Sequence, residues 1–226
     1  MTRSTRSDAL IIALVGVACA RSKALPPEVF IPAGEFTMGC RNDVGCDGSN
    51  PPRQPYAPAY YIDRSLVLAG DYRRCHEAGA CAENAAPRDR DTHAVQVTQD
   101  GAAAYCRWLK KRLPTPEEWE KAARGTDGRL YPWGNDQHHR CITGACDGVR
   151  SPFGLEGVAH VRQWVDHRSS PDFPRGMAVG DNSHPYGRAS TNRFYDSDPS
   201  FFFTLAAFRC ARSVESDANP LRRSTP

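Results

Sequence analysis

The chain has 226 residues, 40% of them hydrophobic and 24% charged, a length and balance that suit one globular domain with a substantial core. Its formal net charge is +3 and its basic residues are scattered, without runs or an interleaved aromatic platform, so no nucleic-acid partner is expected. In chain order, Arg3 and Arg6 precede an apolar run over residues 9–18 that ends at Cys19. The run is short for a membrane span and suits the central region of a secretory signal. Residues 1–19 are therefore read as an export leader and residues 20–28 as a linker.

Residues 28–39 alternate and turn at Pro32-Ala33-Gly34, which predicts a hairpin. Residues 41–58 are rich in Pro, Gly and Asn and read as a loop. Tyr60-Tyr61-Ile62-Asp63 predicts a strand, and residues 71–78 a short helix closed by Gly79. Thr98 can cap a helix over 99–110, with Ala102, Tyr105, Cys106 and Leu109 on one face. The most legible stretch is residues 112–135. Pro114 keeps Leu113 extended, and Thr115 and Glu118 form a capping box with Pro116 in the first helical position. Glu117 and Glu118 in the first turn and Lys121 and Arg124 in the last complement the helix dipole. Gly125 is expected to end this helix in a left-handed cap, before a turn at Asp127-Gly128 and the cluster Tyr131, Pro132 and Trp133. Turn residues dominate from there to about residue 155. Short strands are expected over 161–166 and 205–212, and residues 213–226 read as a disordered tail. Few strands, two or three helices and long loops make an α+β chain.

The chain has nine cysteines; setting Cys19 aside leaves eight. Three pairs are close in sequence: Cys40 with Cys46, Cys75 with Cys81, and Cys141 with Cys146, each closing a small loop that contains glycine. Cys106 and Cys210 remain. The spacings lack the C-x2-C pattern of structural zinc, which favours disulfides in an oxidising compartment. Val17-Ala18-Cys19 resembles the end of a bacterial lipoprotein signal, in which the cysteine becomes the lipidated N-terminus. Gly16 departs from the Leu usual at that position and Asp8 is an odd acid in a basic leader, so cleavage near Ala18 or Ala20 without lipid is the alternative. The protein is expected in the periplasm or at the outer membrane.

The word order RLPTPEEWEKAARGTDGRLYPWGN over residues 112–135 resembles the signature of the formylglycine-generating enzyme, or sulfatase-modifying factor, family. Residues 31–39 resemble that family's opening hairpin, residues 103–109 its long helix and residues 207–211 its closing strand. The resemblance spans residues 29–212 and implies that family's variant of the C-type lectin fold, with long disulfide-braced loops. It also implies that Cys106 and Cys210 form a core disulfide between the central helix and the last strand.

Family enzymes oxidise a substrate cysteine to formylglycine, using oxygen and a copper(I) ion held by two cysteines. The corresponding region here, residues 175–193, contains no cysteine. Met177 and His184 offer one thioether and one imidazole, which do not replace the soft dithiolate that copper(I) needs. The family's calcium segment also differs. Gly157 stands at its Asp position, Gln163 at its Glu position, and His160 in place of its Gly-Asn pair. Glu156 is read as a surface carboxylate, and His138-His139 and His160 carry little weight as ligands. Neither a copper nor a calcium cofactor is expected.

These departures give a lipid-anchored envelope module that binds a peptide, protein or glycan and lacks the cysteine-oxidase centre. Arg175, Asn182, Tyr186 and Arg193 are the candidate ligand contacts; for each, a structural hydrogen bond or simple exposure is the plainer role. Trp133 and Trp164 are assigned to the core, and Phe201-Phe202-Phe203 to a buried strand edge or a partner patch. The alternatives are a formylglycine-generating or related metal-dependent oxidase, and a purely structural envelope protein.

Overall fold

The computed structural model describes residues 27–39, 51–83, 91–136, 149–158, 161–168, 176–180, 195–196 and 205–214. In chain order its elements are β1 (Glu28–Ile31), β2 (Gly34–Glu35), β3 (Tyr56–Ala57), β4 (Tyr60–Asp63), α1 (Ala69–Glu77), α2 (Gln99–Trp108), α3 (Pro116–Arg124), β5 (Gln163–Arg168), β6 (Gly176–Val179), β7 (Tyr195–Asp196) and β8 (Ala211–Ser213). The leader with Cys19, the pairs Cys40–Cys46 and Cys141–Cys146, Phe201-Phe202-Phe203 and most of the tail lie outside the described residues.

The strand β1 does not fold back on β2, so the expected hairpin is corrected. It pairs antiparallel with β4, and β4 pairs with β8, giving the order β1-β4-β8. The extended residues instead turn at Gly34 (φ 144°) and pair with β3. This second ribbon reaches into the stretch read as a loop. Met38 and Arg53 exchange both backbone hydrogen bonds at 2.9 Å, and Pro55 accepts from Phe36 at 3.2 Å. Pro55 has no N–H to return, which breaks the ladder and hides the strand from a reading of composition. A third sheet has the order β5-β6-β7.

Two helices end by the same local device. After α2, Lys110 takes φ 59°, its N–H donates to Arg107 O at 2.8 Å, and the Lys111 N–H donates to Cys106 O at 2.8 Å. This Schellman arrangement stops the helix two residues before the expected end. After α1, Gly79 (φ 72°) does the same, its N–H reaching His76 O and that of Ala80 reaching Cys75 O.

Helix α3 begins as its sequence dictates. The Glu118 N–H donates to Thr115 Oγ1 at 3.2 Å, and the Glu118 carboxylate accepts from the Thr115 N–H at 2.9 Å. Replacing Thr115 with alanine should lower unfolding stability by about 1 kcal/mol, read as a shift in the urea midpoint with unchanged slope. The other end differs from expectation. Gly125 has φ 83° but ψ −153°, a conformation open essentially to glycine alone rather than a left-handed helical cap.

The core has two large clusters. In one, Ala102, Tyr105, Cys106 and Leu109 of the α2 segment pack with Tyr72 and Cys75 of α1 and with Phe208. In the other, Ile31, Tyr60 and Ile62 pack against Trp119, Ala122 and Ala123 of α3. Cys106 is bonded to Cys210 (S–S 2.03 Å), and Cys75 to Cys81 (S–S 1.98 Å). The closing strand is shorter than expected. Before β8, Ala206 and Ala207 make only isolated bridges, to Val97 and Gln163.

Candidate functional site

The segment singled out for a cation, residues 154–164, is built around Gln163, which is fully buried at the start of β5. Its Oε1 accepts from Trp119 Nε1 at 2.9 Å and from Arg209 Nε at 2.8 Å, while its Nε2 donates to Gly157 O at 2.9 Å. An amide suits this place because one end accepts and the other donates; a carboxylate could not donate to Gly157. Arg209 completes the cluster. Its guanidinium is wholly buried and donates to Asp63 O (3.1 Å), Arg64 O (2.8 Å) and Glu156 O (2.7 Å). Burial pushes its pKa down to about 10, against the pull of the Asp63 and Glu156 charges. An organic cation therefore gathers these carbonyls. The Glu156 carboxylate faces elsewhere, to Arg150 at 3.0 Å and Ser65 Oγ at 3.1 Å. This donor set does not fit a calcium ion, which takes six to eight oxygens, several of them charged. Among the described residues no group of three or more His, Cys, Asp or Glu side chains is placed to hold a metal.

A second polar cluster ties four segments together. Lys111 Nζ lies 2.5 Å from Asp63 Oδ1 and 2.8 Å from a Glu28 oxygen, and Arg212 grips Glu28 through two nitrogens. Asp63 Oδ2 accepts the Cys210 N–H at 3.0 Å. Burial raises the Asp63 pKa, and the nearby Lys111 ammonium only partly offsets it. For Glu28 burial also pushes upward, but the hydrogen bonds from Arg212 and Lys111 outweigh it and leave the carboxyl below its usual range.

Helix α3 supplies a third cluster that sequence reading missed. Lys121 and Arg124, read as dipole-complementing residues of the last turn, are buried, as is Glu120. Glu120 pairs with Arg124; the carboxylate takes the Gly39 N–H at 2.7 Å and the guanidinium donates to Gly39 O at 3.0 Å. Lys121 Nζ donates to Pro32 O (2.7 Å) and Gly34 O (3.0 Å), and burial lowers its pKa. The available signal was the pairing of Glu120 and Arg124 four apart beside Ala122 and Ala123, on a helix with too few apolar residues to fill a core-facing side.

The candidate contacts Arg175, Asn182, Tyr186 and Arg193 lie outside the described residues, as do His138, His139, His160 and His184. Trp164 is in the core, its Nε1 donating to Val97 O at 2.7 Å. Trp133 is not. It is half-buried, stacks on Tyr131 with ring centroids 4.9 Å apart and donates to Asp136 O at 3.0 Å. An open polar cavity of about 390 Å³ lies along α1, lined by Asp71, Arg73, Arg74, Glu77 and Asp91 among others.

Residues 16–154 match the family described as the sulfatase-modifying factor enzyme 1-like domain. The chain belongs to the sulfatase-modifying factor family. Among its relatives are the mouse (Mus musculus) inactive C-alpha-formylglycine-generating enzyme 2, 31% identical over 158 residues, and the mouse formylglycine-generating enzyme, 30% identical over 165 residues. These alignments cover 49% and 51% of this chain, and 51% and 44% of the relatives. The chain thus spans about half the length of the curated relatives it matches. Solved structures support the same fold. PvdO from Pseudomonas aeruginosa superposes with a TM-score of 0.59 at 20% identity, over 84% of this chain and 95% of that one. Treponema denticola variable protein 1 does so with a TM-score of 0.60 at 16% identity, over 83% and 95%. The sulfatase-modifying factor architecture, with three helices and few strands, accounts for the α+β arrangement described above.

Proposed function

We propose that this sulfatase-modifying factor protein is an exported, lipid-anchored module that binds a peptide, protein or glycan at the cell envelope and does not oxidise cysteine. The supporting observation is where its cysteines fall. None lies between Cys146 and Cys210, and Cys210 is bonded to Cys106. A copper(I) dithiolate in the expected region has no thiols to form it, and Met177 with His184 is a poor substitute. Similarity alone does not choose, since a relative named inactive and one named as the enzyme align almost equally well. The donor set does.

In this reading the scaffold over residues 29–212 is a variant of the C-type lectin fold, carried on a leader that ends at an acylated Cys19. Segments carried on a disulfide-tied scaffold supply the ligand contacts, Arg175, Asn182, Tyr186 and Arg193. The test is intact mass of the exported protein after alkylation without reductant, followed by copper(I) and a cysteine peptide. The expected result is no alkylated thiol, an acyl increment on Cys19 and an unchanged peptide. Two alkylated thiols with copper-dependent peptide oxidation would restore the oxidase. Binding to peptide and glycan arrays should then fall with Arg175→Ala and Tyr186→Ala; an array that stays blank leaves the purely structural role.

A further inference from the structure

The geometry points to the outer face of the β1-β4-β8 sheet as a contact surface for an anionic lipid bilayer, an inference that rests on the lipid-anchored reading above. The inner face of this sheet is buried: Ile31, Tyr60, Ile62 and Ala211 belong to the core. On the other face, Phe30, Tyr61 and Arg212 stand in one row, because Phe30 is registered opposite Tyr61 and Tyr61 opposite Arg212. The Phe30 and Tyr61 rings lie 5.3 Å apart, and the Arg212 guanidinium sits 4.0 Å above the Tyr61 ring. Phe30 is 49% exposed, a large apolar side chain held outward on a rigid strand. The same face is covered at its other end, where Lys111 lies over Asp63 and Glu28. The covered and open halves thus meet at Glu28, which with Asp63 balances the charges of Lys111 and Arg212 and leaves Phe30 and Tyr61 as the apolar, aromatic part of the open half.

What covers the open half follows from the chain that leads into it. Residues 20–27 separate Cys19 from β1, and eight residues reach at most roughly 30 Å when fully extended. An acylated Cys19 therefore holds β1, the edge strand of this sheet, within that distance of the bilayer. The connecting residues carry Arg21 and Lys23 and no acid, which favours an anionic leaflet. Aromatic rings with a polar edge or a neighbouring guanidinium are the side chains that settle at the headgroup level. A second copy of the chain is a poorer occupant. Two aromatic side chains cover roughly 300–500 Å², short of the roughly 800 Å² per partner that a stable protein interface takes.

The test uses the mature chain from residue 20 onward, without lipid, mixed with vesicles of phosphatidylglycerol and phosphatidylcholine or of phosphatidylcholine alone. The protein should sediment with the anionic vesicles and release as salt is raised. Phe30→Ser should lower the partition coefficient on the order of tenfold, with an unchanged near-ultraviolet dichroism, and Phe30→Trp should keep or raise it. Removing Arg21 or Lys23 should cost about fivefold each on anionic vesicles and little on neutral ones. Equal sedimentation of the parent and Phe30→Ser, or no binding to either vesicle, overturns the inference. Self-association of the parent that Phe30→Ser abolishes assigns the face to a second copy and also overturns it. The mass of the exported protein reports on the anchor separately: without an acyl increment the anchored reading fails, while the vesicle result still tests the sheet face.

Discussion

Replacing Arg209 with alanine should remove most of the stability of the fold. The guanidinium serves four acceptors from three stretches of the chain: Asp63 O, Arg64 O, Glu156 O and Gln163 Oε1. Alanine takes a donor from each of these buried groups, at about 1–3 kcal/mol where no other donor remains, and adds a cavity where the side chain stood; Gln163 Oε1 keeps Trp119 Nε1 and Arg64 O keeps the Glu156 N–H. The sum should exceed about 4 kcal/mol, set against a domain stability of only about 5–15 kcal/mol. Soluble yield should collapse, and whatever folds should melt at far lower urea. Arg209→Lys keeps the charge but not the planar fork, and should recover only part of the loss. A variant with near-parental urea midpoint would mean that water satisfies those carbonyls and that the cluster is not structural.

The second large effect belongs to the buried bridge. Cys106 and Cys210 are 104 residues apart in sequence with Cα atoms at 5.5 Å, so the bond removes a long loop's freedom from the unfolded chain. The paired change Cys106→Ala with Cys210→Ala should cost about 2–5 kcal/mol, measured by guanidinium unfolding under oxidising conditions. The Cys75–Cys81 bridge spans only 6 residues. Its removal should cost roughly 2 kcal/mol less by the same loop argument. Equal losses from the two removals would show that native-state contacts, rather than loop entropy, set their worth.

What could be read in advance was what is decided within a few residues. The capping box of Thr115 and Glu118, the Gly79 stop after α1 and the buried face of α2 all depend on neighbours one to four positions away. Pairing was harder. β1 lies against β4, about thirty residues on, and nothing in its own alternation selects that partner over the nearer β2. Burial of charge was harder still. Lys121 and Arg124 satisfy a rule about helix ends equally well in water, and only the approach of Pro32, Gly34 and Gly39 shows that they face inward. Trp133 illustrates the converse, since its place in a shared motif does not require burial. Of the site itself, the reading identified Gln163 as a departure but not its partner. In the sequence Arg209 is one letter of a closing-strand match, whereas its role depends on segments about fifty and about one hundred and fifty residues earlier.

The hold of α3 on Gly39 has a consequence for how this chain can change. Glu120 takes the N–H of that residue and Arg124 its carbonyl, while Met38 and Arg53 close the ribbon through main-chain bonds on both sides. None of these four backbone contacts depends on a side chain of residues 40–50. The chain on either side of that stretch is thus held by bonds at Met38, Gly39 and Arg53. Substitution or lengthening there that keeps Cys40 and Cys46 should be tolerated by these flanking bonds, which makes the position a natural cassette for acquiring new specificities without rebuilding the domain.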